Sequence, residues 1–317
     1  MRTTSFLRGL SSRLPSARRL ASSSVAPLPV QSAFSEEITT KLDTVVSLEH
    51  QYASSIWLVD VLDVAIDTQK ATQEHVIYNA NNIVLSKLDK EVVDAYLEDN
   101  VEMLDACNGL VEKIDMVSEY TNSLQSTSRL VGMNVSSQEM FKECGKLEGN
   151  FATLDKCSPK LYKLMGRKET LVIDHDEQGQ ELHEVLSGSR EVASMSCHLL
   201  QRAFSFKSRQ GLLKSKSKLP TTWASSLNQL QVTLNEEAEK RKKCAPWMMN
   251  ELEEMVMNAR SLKDQVKSNK GSVDIYNLRR SCRALEEGVK PLEERVKELF
   301  RHLISIRMVL LGILSRS

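Results

Sequence analysis

The C-terminal part of the chain carries apolar residues at alternating steps of four and three. The repeated positions are Leu278, Cys282, Leu285, Val289, Leu292, Val296, Leu299, Leu303, Ile306, Leu310 and Ile313. At 41% apolar content, eleven such matches arise by chance with a probability on the order of 10⁻⁴ per register. This seam predicts a long amphipathic helix whose apolar face is covered by other helices.

Pro291 stands in the middle of this seam, three residues after Gly288. Proline lacks the N–H that an interior helical residue donates, and its ring crowds the preceding turn. The seam is therefore predicted to form two helices hinged at Gly288–Pro291. Residues 308–314 are apolar on nearly every side, which predicts that the second helix is the central strut of a bundle. A partner groove and a membrane interface are the alternatives for this segment.

Composition and periodicity both favour helices throughout. The 317 residues include only 12 glycines and 7 prolines, fewer turn residues than β-rich folds usually need. A second seam consists of Val93, Leu97, Asn100, Leu104, Cys107, Val111 and Ile114. Asn100 is its one polar member, placed either at the edge of the seam or paired with a polar group in the core. We predict an elongated all-α bundle of about six to eight helices with coiled-coil-like seams.

The first 34 residues differ from the rest in charge, with five arginines and no acid. They are predicted to be a disordered basic arm, and a transit peptide has the same composition. The remainder, residues 35–317, is predicted to be one helical domain that begins with Ser35 as a helix cap. No apolar run reaches the roughly 18–20 residues that a membrane-spanning helix needs.

A basic, serine-rich stretch near residues 207–222 is predicted to be an exposed loop. Its basic residues before the proline are Lys207, Arg209, Lys214, Lys216 and Lys218. No aromatic residue is interleaved with them, which argues against specific nucleic-acid binding. Attachment to anionic lipid head groups remains open for this loop.

The sequence contains no recognisable catalytic or phosphate-binding motif. The six cysteines are at least 13 residues apart, so the close pairs typical of zinc and redox sites are absent. One cluster has chemical potential, and it consists of Asp174, His175, Asp176, Glu177, Glu181 and His183. Its spacing matches no defined metal or acid–base site, so we interpret it as a hydrated loop. No enzymatic activity, cofactor, metal site or small-molecule substrate is predicted.

Several segments resemble one known family. The C-terminal "ALEEGVKPLEERVKELFRHLISIRMVLLGIL", the earlier "VDAYLEDNVEMLDACNGLVEKI" and the middle "LEGNFATLDKC" resemble the plant BYPASS-related (ROH-like) proteins, in the same order. The resemblance implies an all-helical fold without established enzymatic activity. It also implies a role in root and shoot development, including restraint of a root-derived mobile signal, and membrane or exocyst-related partners.

Two functions follow from this resemblance. The first is a non-enzymatic regulatory or scaffold protein that binds protein partners through helical surfaces. The second is a peripheral membrane adaptor linked to trafficking or exocytosis, which uses the basic loop and the apolar C-terminus. Localisation in the cytoplasm or at membrane surfaces is expected, with plastids or mitochondria as the alternative if the N-terminal arm is a targeting signal.

Overall fold

Helices account for all regular secondary structure in the part of the chain that the computed structural model describes. The described residues are 32–48, 52–79, 86–133, 138–154, 177–206, 217, 219–241, 247–268 and 275–316. The helices are α1 (Ala33–Ser47), α2 (Ser55–Asn79), α3 (Lys87–Gly132), α4 (Gln138–Leu154), α5 (Glu177–Ala203), α6 (Thr222–Arg241), α7 (Asn250–Lys267) and α8 (Tyr276–Leu314). The predicted all-α class is confirmed. The predicted basic arm lies outside the described residues, except for its last three positions.

Side-chain caps set the start of two helices. The Ser32 hydroxyl accepts a hydrogen bond from the Ser35 backbone N–H, so the first helix begins earlier than the sequence predicted. Ser35 lies inside the first turn, and its hydroxyl contacts that of Thr222 in α6 at 3.1 Å. At α3, Ser86 and Asp89 bond each other's backbone N–H in a capping box, which satisfies two donors that the first turn leaves without a helical partner.

Four helices form the centre of the bundle: α2 and α3 each pack against both α5 and α8. The salt bridges Arg295–Asp63 at 2.7 Å and Lys70–Glu298 at 3.4 Å show that α2 and α8 run in parallel. The outer helices add to this centre. The α1 helix packs on α2 and α6, α4 packs on α3, and α7 packs on α8.

The central helix is α5, which corrects the prediction that the C-terminal helix is the bundle's strut. From Val185 to Phe206 every residue except Glu191 is buried. A helix from Gln180 to about Phe206 is expected from the sequence, but its complete burial is not, because serines, glycine and basic residues alternate with its apolar ones. Its small residues let neighbours approach closely, and a Cβ at Gly188 would stand 2.9 Å from the Phe34 ring.

A buried polar network joins α2, α3 and α5. The Gln69 amide donates to the Ser189 carbonyl at 3.0 Å, and the Tyr96 hydroxyl lies 2.9 Å from the Ser189 hydroxyl. One turn along α3, Asp99 accepts from Arg190 at 3.4 Å. Because buried polar groups are costly without partners, these bonds favour one register among the three helices. Burial raises the pKa of Tyr96 to about 12, so its hydroxyl remains a donor at neutral pH.

The C-terminal seam lies on a single helix of 39 residues, so the predicted hinge at Gly288–Pro291 is wrong. Pro291 is exposed, and so is Glu287, the residue whose carbonyl loses its helical donor. Water can hydrate that carbonyl, which explains how α8 continues through the proline. Gly288 has a different role, since it lies against the first turn of α2.

The start of α2 is held by α7. Glu251 accepts from the Ser55 backbone N–H at 3.0 Å and from its hydroxyl at 2.6 Å. The Asn250 backbone N–H donates to the Ala53 carbonyl at 2.9 Å, and Ala53 has a positive φ of 65°. A carboxylate at a helix N-terminus bonds its unpaired N–H groups and offsets the helix dipole. This junction fixes where α2, α7 and α8 meet.

Candidate functional site

The eleven seam residues of α8 are all buried within this chain, at 9% exposure or less. They pack into the groove formed by α2, α3 and α7, and this packing accounts for the repeat. A protein partner therefore has to use another face of α8. Asn100 belongs with the core as well, because it is fully buried and its side chain donates to the Leu303 carbonyl at 3.1 Å.

An exposed line of apolar residues runs along a different face of α8. Ile304, Met308 and Leu311 are 39%, 65% and 42% exposed, and Val101 on α3 is 41% exposed. We call these four residues the apolar ridge. Their exposure corrects the prediction that the end of the C-terminal helix is covered all round.

Two hydrogen bonds place the α3 and α8 parts of the ridge side by side. Asn100 bonds the Leu303 carbonyl, and Arg307 donates to the Leu97 carbonyl at 2.7 Å. The two helices are antiparallel here, because the higher number on α3 pairs with the lower number on α8. Val101 follows Asn100, and Ile304 follows Leu303. Because the helices are antiparallel, one step along each of them turns the side chain toward the same side of the pair, so Val101 and Ile304 share one surface.

Charged residues border the ridge. Asp94 and Glu98 on α3 are exposed, and Asp94 lies one turn before Leu97, level with Leu311. Arg301 is exposed at the other end, three residues before Ile304, and its Nε donates to the Lys297 carbonyl at 3.2 Å. Charges of both signs therefore border the ridge, with acids on the α3 side and a base on the α8 side.

Part of this surface could be predicted from the sequence. The all-round apolar character of residues 308–314 was visible, but periodicity shows which residues share a face and not whether a neighbour covers that face. Val101 carried no signal, since one valine among the acids of α3 is unremarkable. Only the pairing of α3 with α8 brings it to the ridge.

The other predicted site residues have mixed outcomes. The basic loop residues Lys207, Arg209, Lys214, Lys216 and Lys218 lie outside the described residues. So do Asp174, His175 and Asp176 of the acidic and histidine cluster, and the side chain of Glu177. The Glu181 carboxylate lies 3.6 Å from Nδ1 of His75 in α2. Among the described residues no group of three or more potential ligands could hold a metal ion.

A small cavity of about 90 Å³ lies between α3, α4 and α7. Tyr120 donates to Glu148 at 2.6 Å at its edge, and burial together with Glu148 raises the pKa of Tyr120. Leu124, Phe141 and Arg260 complete most of its wall. The volume suffices for a few water molecules, so we assign it no ligand.

The four cysteines that the structure describes are free and buried. Cys107 on α3 and Cys197 on α5 share a hydrogen bond, and this contact and burial raise the pKa of Cys107 well above its usual range. Burial likewise raises the pKa of Cys282 to about 12. A thiol held protonated and away from solvent is a poor nucleophile. These residues act as core side chains.

Nothing in the described helices combines the length and apolar content required to cross a bilayer. This holds for α5, whose apolar stretch is interrupted by His198, Gln201 and Arg202.

Comparison with known proteins found one matching protein family and one related curated protein. The family model described as "Protein BPS1" matches residues 69–313. A curated protein of Oryza sativa subsp. japonica, "UPF0496 protein 4", is 24% identical over 255 residues, which cover 76% of this chain and 56% of the rice protein. The chain thus spans just over half the length of this relative. No solved structure matches it.

Proposed function

The chain belongs to the BPS1 protein family, and from this premise we propose that it is a non-enzymatic regulatory scaffold of plant development. The family match confirms the resemblance to the BYPASS-related proteins. We propose that the protein acts in root and shoot growth, including restraint of a root-derived mobile signal. Its mode of action would be binding to other helices rather than chemistry on a substrate.

The apolar ridge is the observation that carries this proposal. Met308 alone is 65% exposed, and Ile304 and Leu311 lie one turn on either side of it. Exposed apolar residues in a row, rimmed by charges, are typical of surfaces that bind other proteins. Because the row follows a helix, the surface suits a second helix laid along it.

The test is complementation of growth in a plant that lacks this protein. A Met308→Ser/Leu311→Ser variant removes most of the ridge and leaves the buried seam intact. It should accumulate and fold like the wild type but fail to restore root and shoot growth. Met257→Ser on α7 is the matched control, because Met257 is also exposed, at 63%, and lies outside the ridge. Full rescue by the ridge variant would overturn the proposal.

The peripheral membrane adaptor is the second candidate, supported by the five basic residues without an acid between 207 and 218. Flotation with anionic liposomes separates the two functions. Binding that disappears when Lys207, Arg209, Lys214, Lys216 and Lys218 are neutralised would favour the adaptor. Absence of flotation with the wild-type chain would remove this candidate and leave the scaffold.

A further inference from the structure

We propose that the corner of the bundle where α3 ends and α8 begins is a docking surface for an anionic lipid bilayer. This surface, which we call the basic corner, consists of four exposed arginines and two exposed apolar residues: Arg129, Arg279, Arg280, Arg283, Met133 and Tyr276. The inference rests on the second proposed function, the membrane adaptor. It goes further by placing the lipid contact on α3 and α8 instead of on residues 207–218.

Contacts between the two helices bring these side chains to one place. A Cβ on Gly132 would stand 3.4 Å from Cδ1 of Ile275 and 3.8 Å from Nη2 of Arg279. Met133 follows Gly132 and is 72% exposed, and Tyr276 follows Ile275 and is also 72% exposed. The last turn of α3 and the first turn of α8 therefore lie at the same corner.

Positive charge is concentrated at this end of the bundle. The described stretches 121–133, 138–146, 255–268 and 275–285 pack together here, as α3 contacts α4 and α8, and α8 contacts α7. They hold nine basic and three acidic residues, whereas the whole chain has no net charge. All three acids lie on α4 and α7, so the charged residues of the α3 and α8 stretches are arginines only.

Most of the arginines are available to a ligand. Among the described residues, no acid lies within ion-pair distance of Arg129, Arg279 or Arg283. Arg280 is held by Glu254 at 3.2 Å. Acids return on α8 only beyond residue 285. Exposed cations without a paired acid attract anionic head groups.

The two apolar side chains decide which anionic partner fits. Tyr276 has an aromatic ring with a polar tip, a kind of side chain that is enriched where a membrane meets water. Met133 has no group that needs water. An anionic bilayer accommodates the arginines among its head groups and these two side chains at the acyl boundary. A nucleic acid would pair its phosphates with the arginines but leave Met133 in water, which disfavours it.

Flotation of the full chain with lipid vesicles tests the basic corner. The wild type should bind vesicles of phosphatidylcholine and phosphatidylserine, should not bind pure phosphatidylcholine, and should be released as salt is raised. Each basic residue near an anionic surface strengthens binding about fivefold. The Arg129→Gln/Arg279→Gln/Arg283→Gln variant should therefore bind roughly 100-fold more weakly. All three positions are exposed, so circular dichroism should show wild-type helix content.

A charge-matched variant separates the corner from net charge. Lys290→Gln/Lys297→Gln/Arg301→Gln removes the same number of exposed positive charges from α8 outside the corner. It should bind nearly as well as the wild type. Equal losses of binding in this variant and the corner variant would mean that net charge alone governs binding, and this result would overturn the inference.

A second pair of variants tests insertion of the apolar side chains. Met133→Ser/Tyr276→Ser keeps every charge and should bind about tenfold more weakly, because less apolar surface enters the bilayer. Ile56→Ser on α2 is the control, since Ile56 is 67% exposed and lies outside the corner. It should bind like the wild type.

The outcomes separate this inference from the proposed functions. If the corner variant floats like the wild type while neutralisation of the basic residues at 207–218 abolishes binding, the inference is wrong and the adaptor keeps its loop. If the wild-type chain does not float, both the basic corner and the adaptor are overturned. The scaffold proposal then stands alone, because its growth test depends on Met308 and Leu311 and not on lipid.

Discussion

Gly288 in α8 lies so close to Ser55 in α2 that a Cβ at residue 288 would stand 2.6 Å from the serine Oγ and 2.7 Å from its Cβ. The same hydroxyl donates to Glu251, so Ser55 has little freedom to move away. Glycine at this position therefore serves close packing between parallel helices, at the point where the sequence suggested a hinge.

Replacing Gly288 with alanine should destabilise the fold. Alanine is the better helix former by up to about 1 kcal/mol, but here its methyl group would displace Ser55 and strain the cap of α2. We expect a net loss of about 1–3 kcal/mol in the free energy of unfolding, measured by urea denaturation. Gly109→Ala on α3 is the matched control, because nothing lies within 4 Å of its added Cβ. That variant should be neutral or slightly more stable.

Pro291→Ala should have the opposite effect. Pro291 is exposed inside a continuous helix, so alanine restores a backbone hydrogen bond without touching the core. An interior proline costs about 3 kcal/mol relative to alanine, partly offset by the stiffness that it gives the unfolded chain. We expect a gain of roughly 1–2 kcal/mol in urea denaturation. A variant less stable than the wild type would mean that α8 depends on a bend at this position.

Acidic pH should destabilise the protein through His198 in α5. Burial, with the nearby Arg202 and Lys113, lowers the pKa of His198 from 6.5 to about 3. The unfolded chain therefore takes up a proton below about pH 6.5 that the folded protein refuses until about pH 3, and stability falls as the pH is lowered through this window.

This effect can be isolated by urea denaturation at about pH 7, 6, 5 and 4, a series that begins above the window and extends into it. His198→Gln cannot take up the proton, so its stability should fall less steeply than that of the wild type, by about one proton or roughly 1 kcal/mol per pH unit. His302→Gln is the control, since His302 is only half-buried: burial and Lys70 lower its pKa, and Glu298 opposes that shift. Equal slopes in the wild type and His198→Gln would contradict the prediction.

The sequence was sufficient for the fold class and for the buried faces of α3 and α8. Steps of four and three residues identified the seam of α8, and Val93, Leu97 and Asn100 on α3, because burial of one face requires that spacing. Asn100 shows the limit of this reasoning. Its partner, the carbonyl of Leu303, lies 203 residues away, and no local pattern could indicate whether it is buried or at an edge.

The errors had a common physical cause, which is that periodicity does not report what covers a face. Arg190 is a charged residue among the apolar residues of α5, and only Asp99 on another helix explains why it can be buried. The apolar end of α8 looked like a central strut, whereas the bundle covers only part of it. Pro291 looked like a break, whereas its exposure makes the lost hydrogen bond tolerable.

Adjacent leucines near the C-terminus should separate the core of α8 from the ridge. Leu310 is 1% exposed and Leu311 is 42% exposed, although both stand in the same turn and have the same helix propensity. Leu310→Ala should cost about 2–4 kcal/mol in urea denaturation, because it leaves a cavity among buried neighbours. Leu311→Ala should change stability by less than about 1 kcal/mol at dilute protein concentration. Beyond Arg307 only Leu310 and Ile313 are buried among the described residues, so the helix end has few core contacts to lose. An equally large loss of stability in Leu311→Ala would show that the ridge is covered within this chain. A surface that is already covered could not bind a partner.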